Sequence, residues 1–256
     1  MPSLYDEIAE YYDWEHQFFE DDIQMYLGFA AGRQEEILDA ACGTGRILIP
    51  IAEAGHRITG VDSSPAMLKV ARLKVDAAGL AARVKVVCAD LRSVVLRRRF
   101  GLALVALGSF HHITTLADQR ATLRNLGEQL VQGGILILDL VNPAPEWLAA
   151  GDGALVHQLT GPFPDAMGTE LVSKFVARTA TFGTQSEHQF LLYDRTLPDG
   201  TLLRRAVQME LRFLFRYEAE LLLSEAGFRV RDVYGGYFME PYDGTGSRMI
   251  FVAERR

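Results

Sequence analysis

Cysteine is scarce in this 256-residue chain, which contains only Cys42 and Cys88. Both lie in apolar surroundings and neither has a partner at zinc-ligand spacing, so we interpret them as small core residues and predict no metal site. No uninterrupted apolar stretch is long enough to span a bilayer. The acidic start also lacks the basic and apolar segments of a secretory signal. We therefore predict a cytoplasmic protein with no membrane partner.

Basic residues are also in the minority, with 26 lysines and arginines against 33 acidic side chains and a formal net charge of −7. An acidic chain is a poor default binder of nucleic acid or of an anionic membrane surface. We therefore predict no nucleic-acid partner. The length and the 49% hydrophobic content suit one globular domain with a substantial core that carries an insertion.

The most informative stretch is residues 37–45, ILDAACGTG. A short apolar strand ends near Asp39, and small residues then turn the chain into a helix that begins near Arg46. The two glycines allow a tight turn and a close approach of a ligand to the main chain, and the helix start offers free N–H groups. A second acid, Asp62, ends the next strand-like run, 57–61. Acids at successive strand ends predict a nucleoside-binding site.

Short apolar strands alternate with helical segments through the first half of the chain. This alternation is typical of a parallel sheet covered by helices on both faces. Ser64 and Pro65 mark one helix start, because serine caps a first turn and proline fits its first position. The predicted strands are 37–40, 57–61, 84–89, 102–107 and 134–140; the predicted helical segments are 3–32, 46–54, 65–78 and 117–130.

The pattern changes after Asn142 from alternation to strands alone. Residues 151–168 carry several glycines and prolines and are predicted to form a loop. Residues 197–200, with the sequence LPDG, predict a turn between two strands. Antiparallel strands are predicted at 171–182, 189–196 and 201–213, followed by a helix at 217–226 and closing strands at 228–233 and 249–253.

This order of features resembles the class I S-adenosylmethionine (SAM)-dependent methyltransferases. Within this family the chain is most similar to N-methyltransferases of nucleotide-linked amino sugars and to glycine- or sarcosine-type enzymes. The similarity rests on the Tyr11-Tyr12-Asp13 start, the β insertion and the ending from Phe215 to Phe228. The resemblance implies an α/β fold with a doubly wound, Rossmann-like, mostly parallel seven-stranded sheet, an antiparallel last strand and a β insertion after strand five. It divides the chain into N-terminal lid helices at 1–33, a SAM-binding core at 34–150 and 214–256, and an insertion at 151–213 that covers the acceptor site.

The resemblance also assigns roles to single positions of this sequence. Asp39 would hold the methionine ammonium, because a cation that loses water is stabilised by a nearby carboxylate. Asp62 would accept hydrogen bonds from the ribose hydroxyls, Asp90 would receive the adenine amino group, and Met67 would pack on the adenine. The predicted set for SAM and its product S-adenosylhomocysteine (SAH) is Tyr12, Arg33, Asp39, Ala41, Gly43, Gly45, Arg46, Asp62, Ser63, Met67, Asp90, Leu91, Leu107 and Gly108.

The main competing cofactor is a nicotinamide dinucleotide. Its fingerprint needs a third glycine where this chain has the bulky Leu48. Asp39 would in addition repel a pyrophosphate, whereas SAM is a net cation at its reactive end. Both observations favour SAM.

Two histidines, His111 and His112, follow the fourth predicted strand, where the family meets its acceptor. A histidine near its ordinary pKa of about 6.5 can take a proton at neutral pH, so either is a candidate base, with His112 preferred. From the lid, Tyr12 would reach the transferring methyl group, and Arg33 would pair with the SAM carboxylate. Residues 107–110 lack the Asn/Asp-Pro-Pro-aromatic run that base-methylating relatives share, which also argues against DNA or RNA.

We predict a methyltransferase that acts on nitrogen or oxygen of a small-molecule acceptor, as a monomer or homodimer. Two alternatives stay open at this point: a SAM-binding protein without transferase activity, and a nicotinamide-dependent oxidoreductase. A third, methylation of a basic peptide on an acidic face, also remains.

Overall fold

The structure, a computed structural model, describes residues 4–143, 152–164 and 169–256. Its strands form two sheets within these ranges. The larger sheet contains β1 (Ile37–Ala40), β2 (Ile58–Asp62), β3 (Val84–Cys88), β4 (Phe100–Val105), β5 (Leu130–Val141), β10 (Phe228–Tyr234) and β11 (Arg248–Arg255). The smaller sheet contains β6 (Asp152–Pro162), β7 (Leu171–Thr181), β8 (Ser186–Thr196) and β9 (Leu202–Arg212).

The larger sheet has seven strands in the order β10-β11-β5-β4-β1-β2-β3. Neighbours among β1 to β5 pair in parallel, and β11 lies antiparallel between β5 and β10. The strand order reverses direction at β1, which has β2 on one side and β4 on the other. In such sheets ligands bind beyond the carboxyl ends of the strands at this switch point. The predicted Rossmann-like sheet with its antiparallel last strand is confirmed.

Helices connect these strands. They are α1 (Leu4–His16), α2 (Asp21–Ala30), α3 (Leu48–Glu53), α4 (Pro65–Ala77), α5 (Leu116–Gln129) and α6 (Arg216–Glu225), with a 3₁₀ turn at Ser109–His112. The predicted start of α4 is observed, because Ser64 Oγ accepts a hydrogen bond from the Met67 N–H at 3.1 Å. The segment 3–32, predicted as helical throughout, is two helices, and two acids in the first turn of α2 suit a new helix start.

The smaller sheet corrects one prediction. Strand β6 occupies most of the segment 151–168 that we predicted to be a loop. Its glycines and its terminal Pro162 are compatible with a strand because β6 is an edge strand, and two register irregularities interrupt its pairing with β7. The predicted boundary of the insertion at residues 150 and 151 lies outside the described residues.

Within the described ranges, buried apolar side chains form three clusters. One joins the larger sheet to α5 and α6, and a second joins it to α2, α3 and α4, so helices cover both faces of the sheet. The third contains only residues of α1, of the smaller sheet and Phe163, among them Ile8, Trp14 and Tyr193. Helix α1 therefore packs with the smaller sheet as a separate layer above the carboxyl ends of the parallel strands.

Candidate active site

A cavity of about 800 Å³ lies between the carboxyl ends of the parallel strands, helix α1 and strands β7 to β9. Its size and position match the expectation for a small-molecule site at the switch point of an open α/β sheet. The predicted site residues that line it are Tyr12, Ala41, Gly43, Asp62, Ser63, Met67, Asp90, Leu91, Leu107 and His112.

The glycine turn after β1 forms part of the cavity wall. Ala41 and Gly43 both have positive φ, and the space beside Gly43 where a side chain would begin is open. Gly45 also has positive φ, but a Cβ there would contact Leu48, Ile49 and Ala71 at 3.5–3.6 Å. The cavity wall is therefore open at Gly43, whereas Gly45, which we had predicted to bind the cofactor, permits packing of the turn against α3 and α4.

Asp62 ties the end of β2 to the glycine turn. Its Oδ2 accepts a hydrogen bond from the Gly43 N–H at 2.9 Å, and its Oδ1 accepts one from the Ser64 N–H at 2.8 Å. Burial raises the pKa of the carboxyl, and these backbone donors oppose the rise. Since a carboxylate has about four lone-pair sites, Asp62 retains acceptor capacity at the cavity wall.

Behind the glycine turn lie two buried groups of opposite charge, Asp39 and Arg46. Asp39 is 1% exposed, and burial raises its pKa to about 7, against the opposing influence of Arg46. The Oδ2 atom of Asp39 and the Nε atom of Arg46 are both buried without a hydrogen-bond partner. A buried carboxylate oxygen and a buried guanidinium N–H that both lack a partner are the kinds of group that the ammonium and the carboxylate of the methionyl end of SAM would satisfy.

Asp90 and Leu91 line the cavity beyond β3. The Asp90 carboxylate is held by Arg92, whose Nε and Nη2 donate to Oδ2 at 2.9 and 2.5 Å, and this contact lowers the pKa of Asp90. Arg92 also pairs with Asp118 at 3.1 Å. Asp90 is therefore an ionised acceptor at the cavity edge, and its predicted contact with the adenine amino group stays a prediction.

The turn after β4 is fixed by a buried carboxylate that sequence reasoning missed, Asp139 of β5. Its Oδ2 accepts hydrogen bonds from the Leu107 N–H at 2.9 Å and from the hydroxyls of Tyr26 and Tyr237 at 3.1 and 3.0 Å. Its Oδ1 accepts two from Arg248. Leu107 has positive φ and faces the cavity. This network sets the direction in which the chain leaves β4 toward the histidines.

His111 is a structural residue, which corrects our prediction that it could act as the base. Its Nε2 accepts the Val141 N–H at 3.0 Å, so its Nδ1 carries the hydrogen and donates to the Arg212 carbonyl at 2.7 Å. Burial lowers its pKa to about 4. Both ring nitrogens of His111 are hydrogen-bonded to main-chain groups, and the imidazole therefore joins the 3₁₀ turn to β5 and β9. Gly108 beside it has positive φ and lies against this imidazole rather than against the cavity.

His112 faces the cavity and contacts Tyr5 of α1. The His112 Nε2 and the Tyr5 hydroxyl share a hydrogen bond of 2.8 Å, and the rings meet edge to face at 5.1 Å. Burial lowers the pKa of His112 to about 4 and raises the pKa of Tyr5 well above its ordinary value. Both groups are therefore neutral at physiological pH. Tyr5 was not among the predicted site residues, although its aromatic helix was singled out.

Tyr12 lies further along α1 and also lines the cavity. Burial raises its pKa to about 12, and the charge of Arg46 opposes that rise. Its ring is 4.3 Å from that of His16. Tyr12 thus contacts the buried charge that Asp39 faces.

Arg33 is remote from this site, contrary to our prediction that it pairs with the SAM carboxylate. Its Nε donates to the Phe29 carbonyl at 2.7 Å, and its Nη1 donates to the Gly101 carbonyl at 3.1 Å. Gly101 lies at the amino end of β4, whereas the cavity lies at the carboxyl ends of the strands. Because Arg33 precedes β1, it lies at the amino ends of the parallel strands, so its position in the sequence already argued against the predicted role.

The wall opposite the glycine turn carries a buried ion pair. Lys174 of β7 donates to Glu15 of α1 at 2.5 Å, and the Tyr193 hydroxyl donates to the other carboxylate oxygen. The two charged side chains are only 18% and 12% exposed, and all three residues line the cavity. Residue spacing gave no signal for this cluster because its members lie on separate elements.

Two aspartates attach α1 to the core. Asp6 accepts hydrogen bonds from the Ser64 hydroxyl at 2.6 Å and from the Ala66 N–H at 3.1 Å. Asp13 accepts one from the Thr44 hydroxyl at 2.7 Å and pairs with Lys74 at 2.5 Å. Helix α1 therefore covers the cavity while bound both to the glycine turn and to the start of α4.

Among the described residues no helix has the length and apolar character needed to cross a membrane.

Comparison with known proteins agrees with this architecture. The family described as a methyltransferase domain matches residues 37–134. Cypemycin N-terminal methyltransferase from a Streptomyces species is 29% identical and aligns with 100% of this chain and 99% of its own length. The dTDP-3-amino-3,6-dideoxy-alpha-D-glucopyranose N,N-dimethyltransferase of Streptomyces fradiae is 28% identical, and the alignment covers 90% of this chain and 87% of the length of that enzyme.

A SAM-dependent methyltransferase from Clostridium acetobutylicum has the same fold, with a TM-score of 0.81 at 17% identity over 99% of both chains. The domain match begins at β1 and includes the glycine turn and the acids that end β2 and follow β3. The chain belongs to the SAM-dependent methyltransferases with a class I, Rossmann-like fold.

Proposed function

We propose that this enzyme methylates the amine nitrogen of a small-molecule acceptor. The observation that carries the proposal is the Tyr5–His112 pair, a neutral hydrogen-bonded pair that faces the cavity directly after β4. An amine nucleophile needs a partner that accepts its hydrogen and directs its lone pair, and such a pair can do both.

The cofactor fits along the strand ends. Asp39 Oδ2 would bind the ammonium of the methionyl group and Arg46 would bind its carboxylate, since each has a buried atom without a partner. Asp62 would bind the ribose hydroxyls with its unused lone pairs. Asp90 and the Leu91 backbone would bind the adenine. Met67 would pack on the ring, and Ala41, Gly43, Ser63 and Leu107 would line the channel between them.

Bound SAM supplies a methyl group on a sulfonium sulfur, which departs as a neutral thioether. The protein therefore needs to align the acceptor and to manage its proton. Alignment alone supplies up to roughly 7–11 kcal/mol in favourable cases. Helix α1 and strands β7 to β9 perform this task by enclosing the acceptor against the glycine turn.

The Tyr5–His112 pair orients the amine. When the Tyr5 hydroxyl donates to His112 Nε2, the phenol oxygen keeps lone pairs that can accept an amine N–H. This contact turns the nitrogen lone pair toward the methyl donor. Because the pKa of His112 is lowered to about 4, the imidazole is neutral at neutral pH, and its Nε2 remains an acceptor for the Tyr5 hydroxyl.

The acceptor is a polar small molecule. The wall that faces the strand ends carries Glu15, Lys174 and Tyr193, and Gln189 lies beside them. These groups have spare donors and acceptors that an apolar acceptor would leave unpaired, at a cost of about 1–3 kcal/mol for each buried group.

Two relatives that align over most of this chain support an amine. By name, one methylates the N-terminus of cypemycin and the other the amino group of a nucleotide-linked sugar. Their acceptors share an amine and differ in size.

The net charge of −7 and the absence of a base-gripping run at 107–110 argue against a nucleic-acid substrate. We keep monomer and homodimer as equal expectations.

The direct test is an SAH-production assay with pairs of acceptors that differ in one atom. An amino sugar nucleotide and a short peptide with a free N-terminus are each compared with the hydroxyl counterpart. We expect turnover of at least one amine and none of its hydroxyl partner. Turnover of the hydroxyl compound alone would overturn the amine assignment, and the Asp199→Asn variant, altered in an exposed turn, controls for nonspecific effects.

A further inference from the structure

Arg46 is held by a carboxylate that lies entirely inside the protein. Asp22, in the first turn of α2, is 0% exposed, and its two oxygens accept hydrogen bonds from Arg46 Nη1 and Nη2 at 2.8 and 2.5 Å. Arg46 Nη1 also lies 3.3 Å from the Phe19 carbonyl, and the guanidinium lies 5.4 Å from the Phe19 ring centre. The guanidinium therefore has one fixed plane and orientation.

This pair is not explained by stability alone. Taking two charges out of water carries a desolvation cost that their attraction often fails to recover. The bidentate contact also occupies Nη1 and Nη2 and leaves Nε buried without a partner. An arrangement that orients a guanidinium while leaving one N–H unused is typical of a group prepared for a ligand.

The unused Nε has a counterpart of opposite sign nearby. Asp39 Oδ2 is buried without a partner, and Arg46 is the charge that most strongly opposes the raised pKa of Asp39. Tyr12, which lines the cavity, interacts electrostatically with Arg46. A buried unpaired acceptor and a buried unpaired donor that interact electrostatically, both behind the glycine turn, match a carbon that bears both an ammonium and a carboxylate.

We propose that Asp22 is a positioning residue for cofactor recognition: by holding Nη1 and Nη2, it directs the Arg46 Nε–H toward the methionyl carboxylate of SAM. The inference rests on the proposed position of the methionyl end of the cofactor. It makes α2, which contributes no residue to the cavity wall, part of the binding machinery.

The test compares SAH with an SAH analogue that lacks only the carboxylate, by isothermal titration. Wild-type protein is expected to bind SAH about ten- to a hundredfold more tightly than the analogue, which is the range for a hydrogen bond to a charged group. Asp22→Asn keeps the side-chain shape but presents a donor to one guanidinium N–H. It should reduce this discrimination to about threefold or less, with the affinity for the analogue little changed.

Asp194→Asn is the matched control. Asp194 holds Arg204 in a bidentate pair at 2.6 and 2.6 Å in the smaller sheet, and it does not line the cavity. The Asp194→Asn variant should discriminate between SAH and the analogue as strongly as the wild-type protein does. Thermal unfolding of each variant establishes that the titrated protein is folded.

The outcomes separate the inference from its premise. Wild-type protein that binds both ligands equally overturns the proposed methionyl position. If wild type discriminates but Asp22→Asn loses affinity for both ligands equally, Asp22 is only structural. Increased discrimination in Asp22→Asn would mean that its charge merely repels the carboxylate, and it also overturns the inference. If Asp22→Asn does not fold, Asp22→Glu preserves the charge and displaces the guanidinium, and retention of full discrimination in that variant overturns the inference.

Discussion

The Tyr5 hydroxyl and the His112 imidazole share a hydrogen bond of 2.8 Å across the cavity, although 107 positions separate them in the sequence. One belongs to the helix that covers the site and the other to the turn after β4. The contact therefore exists only when α1 is seated, and it links closure of the cavity to the chemistry inside it.

The pH dependence of turnover should follow the acceptor rather than the histidine. The pKa of His112 is lowered to about 4, so it stays neutral throughout the range above that value. Raising the pH through the pKa of the acceptor ammonium increases the reactive neutral amine. We expect kcat/KM to rise with pH up to that pKa, with no inflection near 6.5. An inflection near 6.5 that disappears in His112→Gln would contradict the lowered pKa.

Substitution of the two adjacent histidines should have different effects. His112→Gln is expected to lower kcat by about a hundredfold or more, in the range for loss of proton management, with the Kd for SAH unchanged. His111→Gln disturbs two main-chain contacts and should lower the free energy of unfolding by about 1–3 kcal/mol. Steady-state kinetics, SAH titration and denaturant unfolding distinguish the two. Equal loss of kcat at constant stability in both variants would restore His111 as a candidate base.

Removal of one hydroxyl tests the partner of His112. Tyr5→Phe keeps the ring contact but loses the hydrogen bond, and kcat should fall about tenfold, equivalent to 1.4 kcal/mol. Tyr217→Phe is the control because Tyr217 is 72% exposed on α6. Tyr12→Phe should instead weaken SAH binding through Arg46. A Tyr5→Phe variant with wild-type kcat would remove Tyr5 from the proposed mechanism.

Binding of SAH should depend on the ionisation of Asp39. Burial raises the pKa of this carboxyl to about 7 in the free protein, and only the ionised form pairs with an ammonium. The Kd for SAH should therefore be constant above about pH 7 and rise up to tenfold per unit as the pH falls below it. In Asp39→Asn the affinity should be lower and independent of pH over the same range. A wild-type Kd that is flat from pH 5 to 8 would contradict this.

The same shift predicts the contribution of Asp39 to stability. Its folded-state pKa lies above that of the unfolded chain, so the folded protein binds the additional proton. This stabilises the fold below the unfolded pKa near 3.8, and the contribution is lost as the pH rises through about 7. The cofactor's ammonium would offset that loss at neutral pH.

The parts of the site that could be predicted are those encoded locally. The turn at Gly43 and the acids Asp39 and Asp62 follow directly from strand endings, and a strand ending fixes the edge of the sheet on which a residue lies. The start of α4 at Ser64 and Pro65 is equally local. The structure brings Asp62 to the cavity wall and Asp39 just behind it.

The remainder depends on contacts between distant segments. Neighbouring His111 and His112 look alike in the sequence, and only the carbonyl of Arg212 and the amide of Val141 show which one is structural. Arg46 follows β1 and Arg33 precedes it, but only the fold shows that Arg46 is held by the buried Asp22 of α2. Asp139 sits within an apolar strand, and its hydrogen-bond partners come from four other segments.

The packing of α1 against the smaller sheet also has a consequence for the order of folding. Helix α1 precedes the apolar residues that cover it, which extend to Met209, so it leaves the ribosome before they are synthesised. Contacts of such large sequence separation form late because loop closure must precede them. Strands β1 to β5 can therefore pair on the nascent chain before β7 to β9 are available to enclose the cavity.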